Sequence, residues 1–209
     1  MITENTTDKS AIVIGASVGA IEALLEILPE LPDDYPLSIL VVVHVPPDRK
    51  SLLADLFAAR CNLAVKEAED KEPLSPGMIY FAPPNYHMLV ETDFHISLSS
   101  DEPVRFSRPS IDVLFESAAD AYGDRVTGVI LTGANSDGAQ GLRAICDCGG
   151  NALVQLPENA EGKAMPMAAL EACREASPLS LSEITAALLD LSFISEHAEL
   201  KAHQISHSR

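Results

Sequence analysis

The chain has 209 residues, 47% hydrophobic and 22% charged, which is enough for one sizeable core and too apolar for a disordered segment. A formal net charge of −17 with no run of Lys or Arg argues against a nucleic acid or an anionic membrane as partner. Met1 to Ser10 is polar with no apolar stretch, and no apolar run reaches membrane-spanning length, so neither a signal peptide nor a transmembrane helix is expected.

In chain order, Ala11-Ile12-Val13-Ile14-Gly15 is an apolar run ending at glycine and predicts a buried strand. Ile21, Leu24, Leu25 and Leu28 follow with helical spacing, closed by Pro29 and Pro32. Ser38 to Val43 predicts a second strand. Ser51 to Arg60 predicts a helix with Leu52, Leu53, Leu56 and Phe57 inward, and a short strand is expected near Val65. After a turn at Pro76-Gly77, Met78 to Ala82 predicts a strand. Met88 to Glu91 and His95 to Leu98 flank Thr92-Asp93 as a hairpin.

Ser110 is placed to cap a helix reaching Ala121, with Ile111, Leu114, Phe115 and Ala118 on one face. Val126 to Thr132 predicts a strand, and Gly138 to Cys148 a helix ended by Gly149-Gly150. Asn151 to Gln155 predicts another strand. Helices follow around Met167 to Cys173 and Leu181 to Leu191. Strands alternating with helices imply parallel βαβ units, hence an α/β three-layer sandwich with helices on both faces and the hairpin as an antiparallel addition. Residues 11–191 read as one domain between a flexible N-terminus, 1–10, and a polar tail, 192–209. The four cysteines, Cys61, Cys146, Cys148 and Cys173, form no C-x-x-C pair. They read as reduced thiols of a cytoplasmic protein, with no zinc site.

Three positions carry candidate chemistry. Gly15-Ala16-Ser17-Val18-Gly19 matches G-x-S-x-G between a predicted strand and a predicted helix, the context in which a sharp turn lifts a serine hydroxyl clear of a sheet. The helix start supplies free N–H groups for an oxyanion. The bland reading is a glycine turn or a phosphate loop, but neither G-x-G-x-x-G nor a P-loop lysine is present. His44 follows the second strand, at the carboxyl edge where ligands bind in open α/β sheets. Asp137 lies in the loop after Val126 to Thr132, on the same edge, where it could equally cap the next helix. A serine needs a base within reach, and the base a carboxylate to fix its tautomer, so the three together suggest nucleophile, base and orienter. Their order, Ser-His-Asp, differs from the Ser-Asp-His order of α/β-hydrolases. A catalytically silent module that docks a partner, and a nucleotide-binding α/β domain, are the rival readings.

Ile14-Gly15-Ala16-Ser17, His44 before Pro46, Arg108-Pro109-Ser110-Ile111-Asp112-Val113-Leu114-Phe115, and Ile130-Leu131-Thr132-Gly133 with Asp137-Gly138-Ala139 together resemble the catalytic domain of CheB methylesterases in order and spacing. Lys66-Glu67-Ala68-Glu69-Asp70, Pro76-Gly77 and Ala82-Pro83 also fit, and the resemblance covers about residues 11–191. It implies Ser17 as nucleophile, His44 as general base and Asp137 as its orienter. The implied reaction is hydrolysis of glutamate γ-methyl esters on the helical cytoplasmic region of methyl-accepting chemotaxis receptors, releasing methanol, with glutamine deamidation as a further activity. No cofactor or metal is implied. Val18 and Ala134 are the expected sources of oxyanion N–H groups, and Arg108 is expected near the site, either holding a substrate carboxylate or making a surface ion pair. His87 and His95 read as structural or exposed, and His197, His203 and His207 as exposed.

The family pattern has Thr and two glycines after the serine, where this chain has Val18, Gly19 and Ala20. Its Gln-His-Met-Pro appears as Val43-His44-Val45-Pro46, its Thr-Gly-Met-Gly as Thr132-Gly133-Ala134-Asn135, and its Gly-Met-Pro as Ala164-Met165-Pro166. These changes sit at the rim of the expected site and bear on substrate recognition. About ten residues precede the first strand, too few for the phosphorylatable receiver domain that accompanies this family.

Overall fold

Apolar runs without alternation must be covered on both faces, and that requirement builds the core. The computed structural model describes residues 10–44 and 52–191. In it β1 (Ala11–Ala16) and β2 (Ser38–Val43) are buried at every position. Ile12, Ile14 and Ala16 of β1 face one layer with Ile39, Val41 and Val43 of β2. Ala11 and Val13 face the other layer with Leu40 and Val42.

The remaining strands of the main sheet are β3 (Ala64–Glu67), β4 (Met78–Phe81), β7 (Val126–Ile130), β8 (Asn151–Gln155) and β9 (Ser177–Leu179). All seven run parallel in the order β3-β4-β2-β1-β7-β8-β9. The hairpin β5 (His87–Val90) and β6 (Ile96–Ser99) pairs antiparallel as a separate two-stranded sheet. One face of the main sheet is covered by α1 (Ala20–Ile27), α2 (Leu53–Ala58) and α6 (181–191), through Leu24, Ile27, Phe57, Ile184 and Leu188. The opposite face carries α3 (Ile111–Tyr122), α4 (Ala139–Asp147) and α5 (Ala164–Ala172), through Leu114, Phe115, Leu142, Ile145 and Ala169. The hairpin lies on α3, where the Ser117 hydroxyl accepts the Val90 N–H at 3.1 Å. The expected three-layer α/β sandwich with its antiparallel addition is the observed architecture.

Four expectations are corrected. Leu52, expected inward, is 65% exposed because it stands at the N-cap of α2, outside the helical face. α5 begins at Ala164, three residues before Met167. The edge strand β9 was not expected, since Ser177-Pro178-Leu179 has no alternation and its proline lacks an N–H. The cysteines are not all reduced: Cys146 on α4 and Cys173, just past α5, form a disulfide with a Cα–Cα distance of 6.6 Å. Two helices packed side by side bring these residues together across a separation of 27, which no local spacing signals. Cys61 and Cys148 are free thiols, and Cys148 Sγ instead donates toward the carbonyls of Gly123 and Ile145, each at 3.1 Å. The cytoplasmic assignment therefore loses the support it drew from four reduced thiols. Among the described residues no helix is long and apolar enough to cross a membrane.

Candidate active site

β1 sits between β2 and β7, where the chain reverses the direction in which it adds strands, and a crevice opens at the carboxyl ends there. Ala16 pairs with Val43, so Ser17 and His44 are the next residues on adjacent strands, whose spacing is about 4.8 Å. The His44 N–H donates to the Ala16 carbonyl at 3.2 Å, and the Ser17 N–H donates to Thr132 beyond β7 at 2.9 Å. The Thr132 hydroxyl donates to the Val18 carbonyl at 2.8 Å while accepting the Gly162 N–H at 2.8 Å. Ser17 is thus held from both flanks, on a turn that enters α1 through Gly19 at φ 77. Among the described residues the Ser17 hydroxyl and the N–H groups of Val18 and Ala134 have no hydrogen-bond partner.

Asp137 is the opposite case. Its side chain is completely buried, and Oδ2 lies 2.8 Å from His44 Nε2. Oδ2 also accepts the Ile111 N–H at 2.8 Å, while Oδ1 accepts the Ser110 hydroxyl at 2.8 Å and the Asp112 N–H at 3.1 Å. Burial pushes the Asp137 carboxyl up, but the hydrogen bonds from His44, the Ile111 and Asp112 amides and Ser110 prevail and hold it below the ordinary carboxylate range. Asp137 does cap a helix, but not the one it precedes. α4 starts at Gly138 with no side-chain cap, and Asp137 serves the N-terminus of α3 instead. Ser110, the N-cap residue of α3, makes no capping bond of its own because its hydroxyl is committed to Asp137.

Glycines admit α3 to this position. A Cβ on Gly15 would collide with the Ile111 side chain, and one on Gly138, at φ 93, would meet Ile111 and Ile130 at 2.6 Å. The sequence pattern of an elbow glycine and a glycine after Asp137 therefore reports the close approach of a third segment.

The ring of His44 is oriented from both sides. Asp137 N–H donates to Asn135 Oδ1 at 3.1 Å, which turns the Asn135 amide nitrogen toward His44 Nδ1 at 3.4 Å. A neutral imidazole with its proton on Nε2 satisfies both neighbours, leaving Nδ1 as the basic nitrogen. Beside His44 opens a cleft of about 180 Å³, lined by Asn85, Phe106, Ser107 and Arg108 among others. Among the described residues Arg108 makes no ion pair. Nε and Nη2 donate to Asn85 Oδ1 at 3.1 and 2.6 Å, and Nη1 donates to the carbonyls of Ser100 and Asp101 at 2.7 and 2.8 Å. Among the described residues these four contacts leave one of its five N–H donors without a partner. His87 is buried between the Ser110 N–H and the Glu102 carbonyl, 3.2 Å from each, and braces the loop that carries Arg108. His95 is exposed beside Asp93. Val45, His197, His203 and His207 lie outside the described residues.

The family model for CheB methylesterase matches residues 12–188. The chain belongs to the CheB methylesterase family. A Leptospira interrogans relative is 51% identical over 174 residues, covering 83% of this chain and 90% of that one. The protein-glutamate methylesterase/protein-glutamine glutaminase of Archaeoglobus fulgidus is 39% identical over 168 residues, and this chain spans about half of it, 48%. The crystal structure of the Thermotoga maritima CheB methylesterase catalytic domain superposes with a TM-score of 0.81 at 31% identity, covering 88% of this chain and 98% of that one.

Within the CheB methylesterase fold, the departures foreseen at the rim fall into two kinds. Val18 is 45% exposed, so its side chain is spare while its N–H remains available. Asn135 is engaged, placing a carboxamide against the imidazole where the family pattern has glycine. Sequence reasoning missed this contact and the roles of Thr132 and Ser110. Ser110 carried a signal as a helix cap, but nothing local pointed it at a carboxylate 27 residues away.

Proposed function

We propose that this chain hydrolyses the γ-methyl esters of glutamate side chains in chemoreceptors, with Ser17 as nucleophile, His44 as general base and Asp137 as its orienter. The observation that carries the reading is the buried 2.8 Å contact between Asp137 and His44 Nε2, on an imidazole one strand away from Ser17. Asp137 fixes the proton on Nε2, so Nδ1 receives the Ser17 proton as Oγ attacks the ester carbonyl. The Asn135 amide gives up its contact with Nδ1 to the hydroxyl at that step. The oxyanion forms beside the free N–H groups of Val18 and Ala134 and collapses to an acyl-serine. Methoxide takes the proton from Nδ1 and leaves as methanol. A water then repeats the sequence with Nδ1 as base and frees the glutamate carboxylate and the serine hydroxyl. With a glutamine substrate the same steps release ammonia.

The ionised, hydrogen-bonded Asp137 supports this scheme because it stabilises the transient imidazolium without taking its proton. Methanol release from a methylated receptor fragment tests it. Wild type is expected to release methanol and Ser17→Ala to fall below about one-thousandth of that rate. Equal release by the two proteins overturns the assignment. Labelling by a fluorophosphonate that requires both Ser17 and His44 gives an independent check.

A further inference from the structure

The described residues expose seven large apolar side chains, among them Val18, Leu52, Tyr86, Phe106 and Met167. All seven lie in connections or first helical turns at the carboxyl edge of the main sheet. The remaining described surface has none, so among the described residues the apolar rim is specific to the site edge.

Phe106 stands out within it. Its ring is fully exposed, at 103% of the reference value. Arg105 and Phe106 have φ of 48° and 65°, at the centre of a two-residue turn closed by Val104 N–H to Ser107 O at 3.1 Å and Ser107 N–H to Val104 O at 2.8 Å. Positive φ at both central positions is the habit of Asn and Gly, and a bulky aromatic residue holds it only under constraint. Arg105 supplies the constraint. Its Nε donates to the buried Asp112 Oδ2 at 3.0 Å, and Asp112 Oδ1 accepts the Gly141 N–H at 2.8 Å. The turn is therefore tied to the first turn of α3, the same turn that holds Asp137, and Phe106 lines the cleft together with His44. A ring kept in solvent by its neighbours, against its own backbone preference, beside a reactive imidazole, is a contact without its partner.

The geometry points to Phe106 as the specificity-determining contact of this site, an anchor for an apolar side chain of the methylated protein about one helical turn from the ester-bearing residue. The inference rests on the esterase reading above. An apolar contact fits better than an acidic one: Arg105 and Arg108 are already engaged within the chain, and the net charge is −17. On a helical substrate, side chains three or four positions from the ester lie about 5–6 Å away, and His44 and Phe106 line one and the same cleft.

The test compares a methylated receptor fragment with N-acetylglutamate γ-methyl ester, using the full chain. Phe106→Ala is expected to lower the ratio of kcat/KM for receptor over small ester by about 10- to 100-fold, the loss appearing in KM. Phe106→Leu should recover most of the ratio. Phe106→Gly should lose it while melting no lower than wild type, because glycine accepts φ of 65° without strain. Titration of the fragment onto Ser17→Ala and onto Ser17→Ala/Phe106→Ala reads the anchor without turnover, with at least tenfold weaker binding expected for the double variant. A ratio within twofold of wild type for Phe106→Ala, or equal affinities in the titration, overturns the anchor. Phe106-dependent binding by a wild-type protein that releases no methanol sinks the esterase reading and leaves the anchor standing.

Discussion

Ser17 and Asp137 stand at the same edge of one sheet, and their surroundings could hardly differ more. Asp137 is completely buried and accepts hydrogen bonds from four groups on two segments. Ser17 is partly exposed, and its hydroxyl has no partner among the described residues. In the proposed relay work would be divided accordingly: the charged end is over-determined by the fold, while the proposed nucleophile is left available to substrate. Stability and chemistry should therefore separate cleanly between the two ends.

Ser17→Ala offers the strongest attack on that separation. Turnover should fall by about 10⁴-fold or more while the urea unfolding free energy moves by less than about 0.5 kcal/mol. A large stability change would mean that the serine is structural after all. Asp137→Ala should show the converse weighting, costing about 3–5 kcal/mol in urea unfolding because the Ser110, Ile111 and Asp112 donors are left buried and unpaired. The sign with pH follows from the depressed Asp137 carboxyl. A group held lower in the folded than in the unfolded chain stabilises above the ordinary carboxylate range. That contribution is lost as pH falls through the folded-state value. Asp137→Asn should flatten the acid side of the stability curve, measured by thermal melts across pH.

Reduction of Cys146–Cys173 probes a third region. Opening a cross-link between residues 27 apart should cost about 3 kcal/mol, and turnover well below the melting temperature should persist, since neither sulfur touches the site. Loss of turnover in step with reduction would show that α4 and α5 transmit to the relay. The smallest effect is expected from Ser110→Ala, about 1 kcal/mol of stability with a drop in turnover under tenfold, because Asp137 keeps both backbone donors.

Much of the fold was legible because its central strands are buried on both faces. Ala11 to Gly15, Ser38 to Val43 and Val126 to Thr132 are runs dominated by apolar residues, and such runs leave few alternatives once helices alternate with them. β9 was not legible, since its three residues derive their strand character from pairing with β8 alone. Leu52 misled because helical spacing cannot tell the last residue before a helix from the first within it. The positions of Ser17 and His44 were readable from strand ends. The surroundings of Asp137 were not: four donors converge from segments up to 93 positions away, and only packing reveals them. The same holds for Cys146 and Cys173, and for Asn135, whose contact with the imidazole depends on an amide orientation set by a backbone N–H.

The capping of α3 by a residue from a distant loop has a last consequence. Because one carboxylate both closes the start of that helix and bonds the imidazole, fraying of α3 should, on the proposed mechanism, disarm the relay in the same step. Protection of the Ile111 and Asp112 amides against hydrogen exchange thus becomes a gauge of competence, falling together with turnover in denaturant too mild to melt the sheet. On that mechanism turnover is expected to be lost at the first loosening of α3, before the interior is exposed.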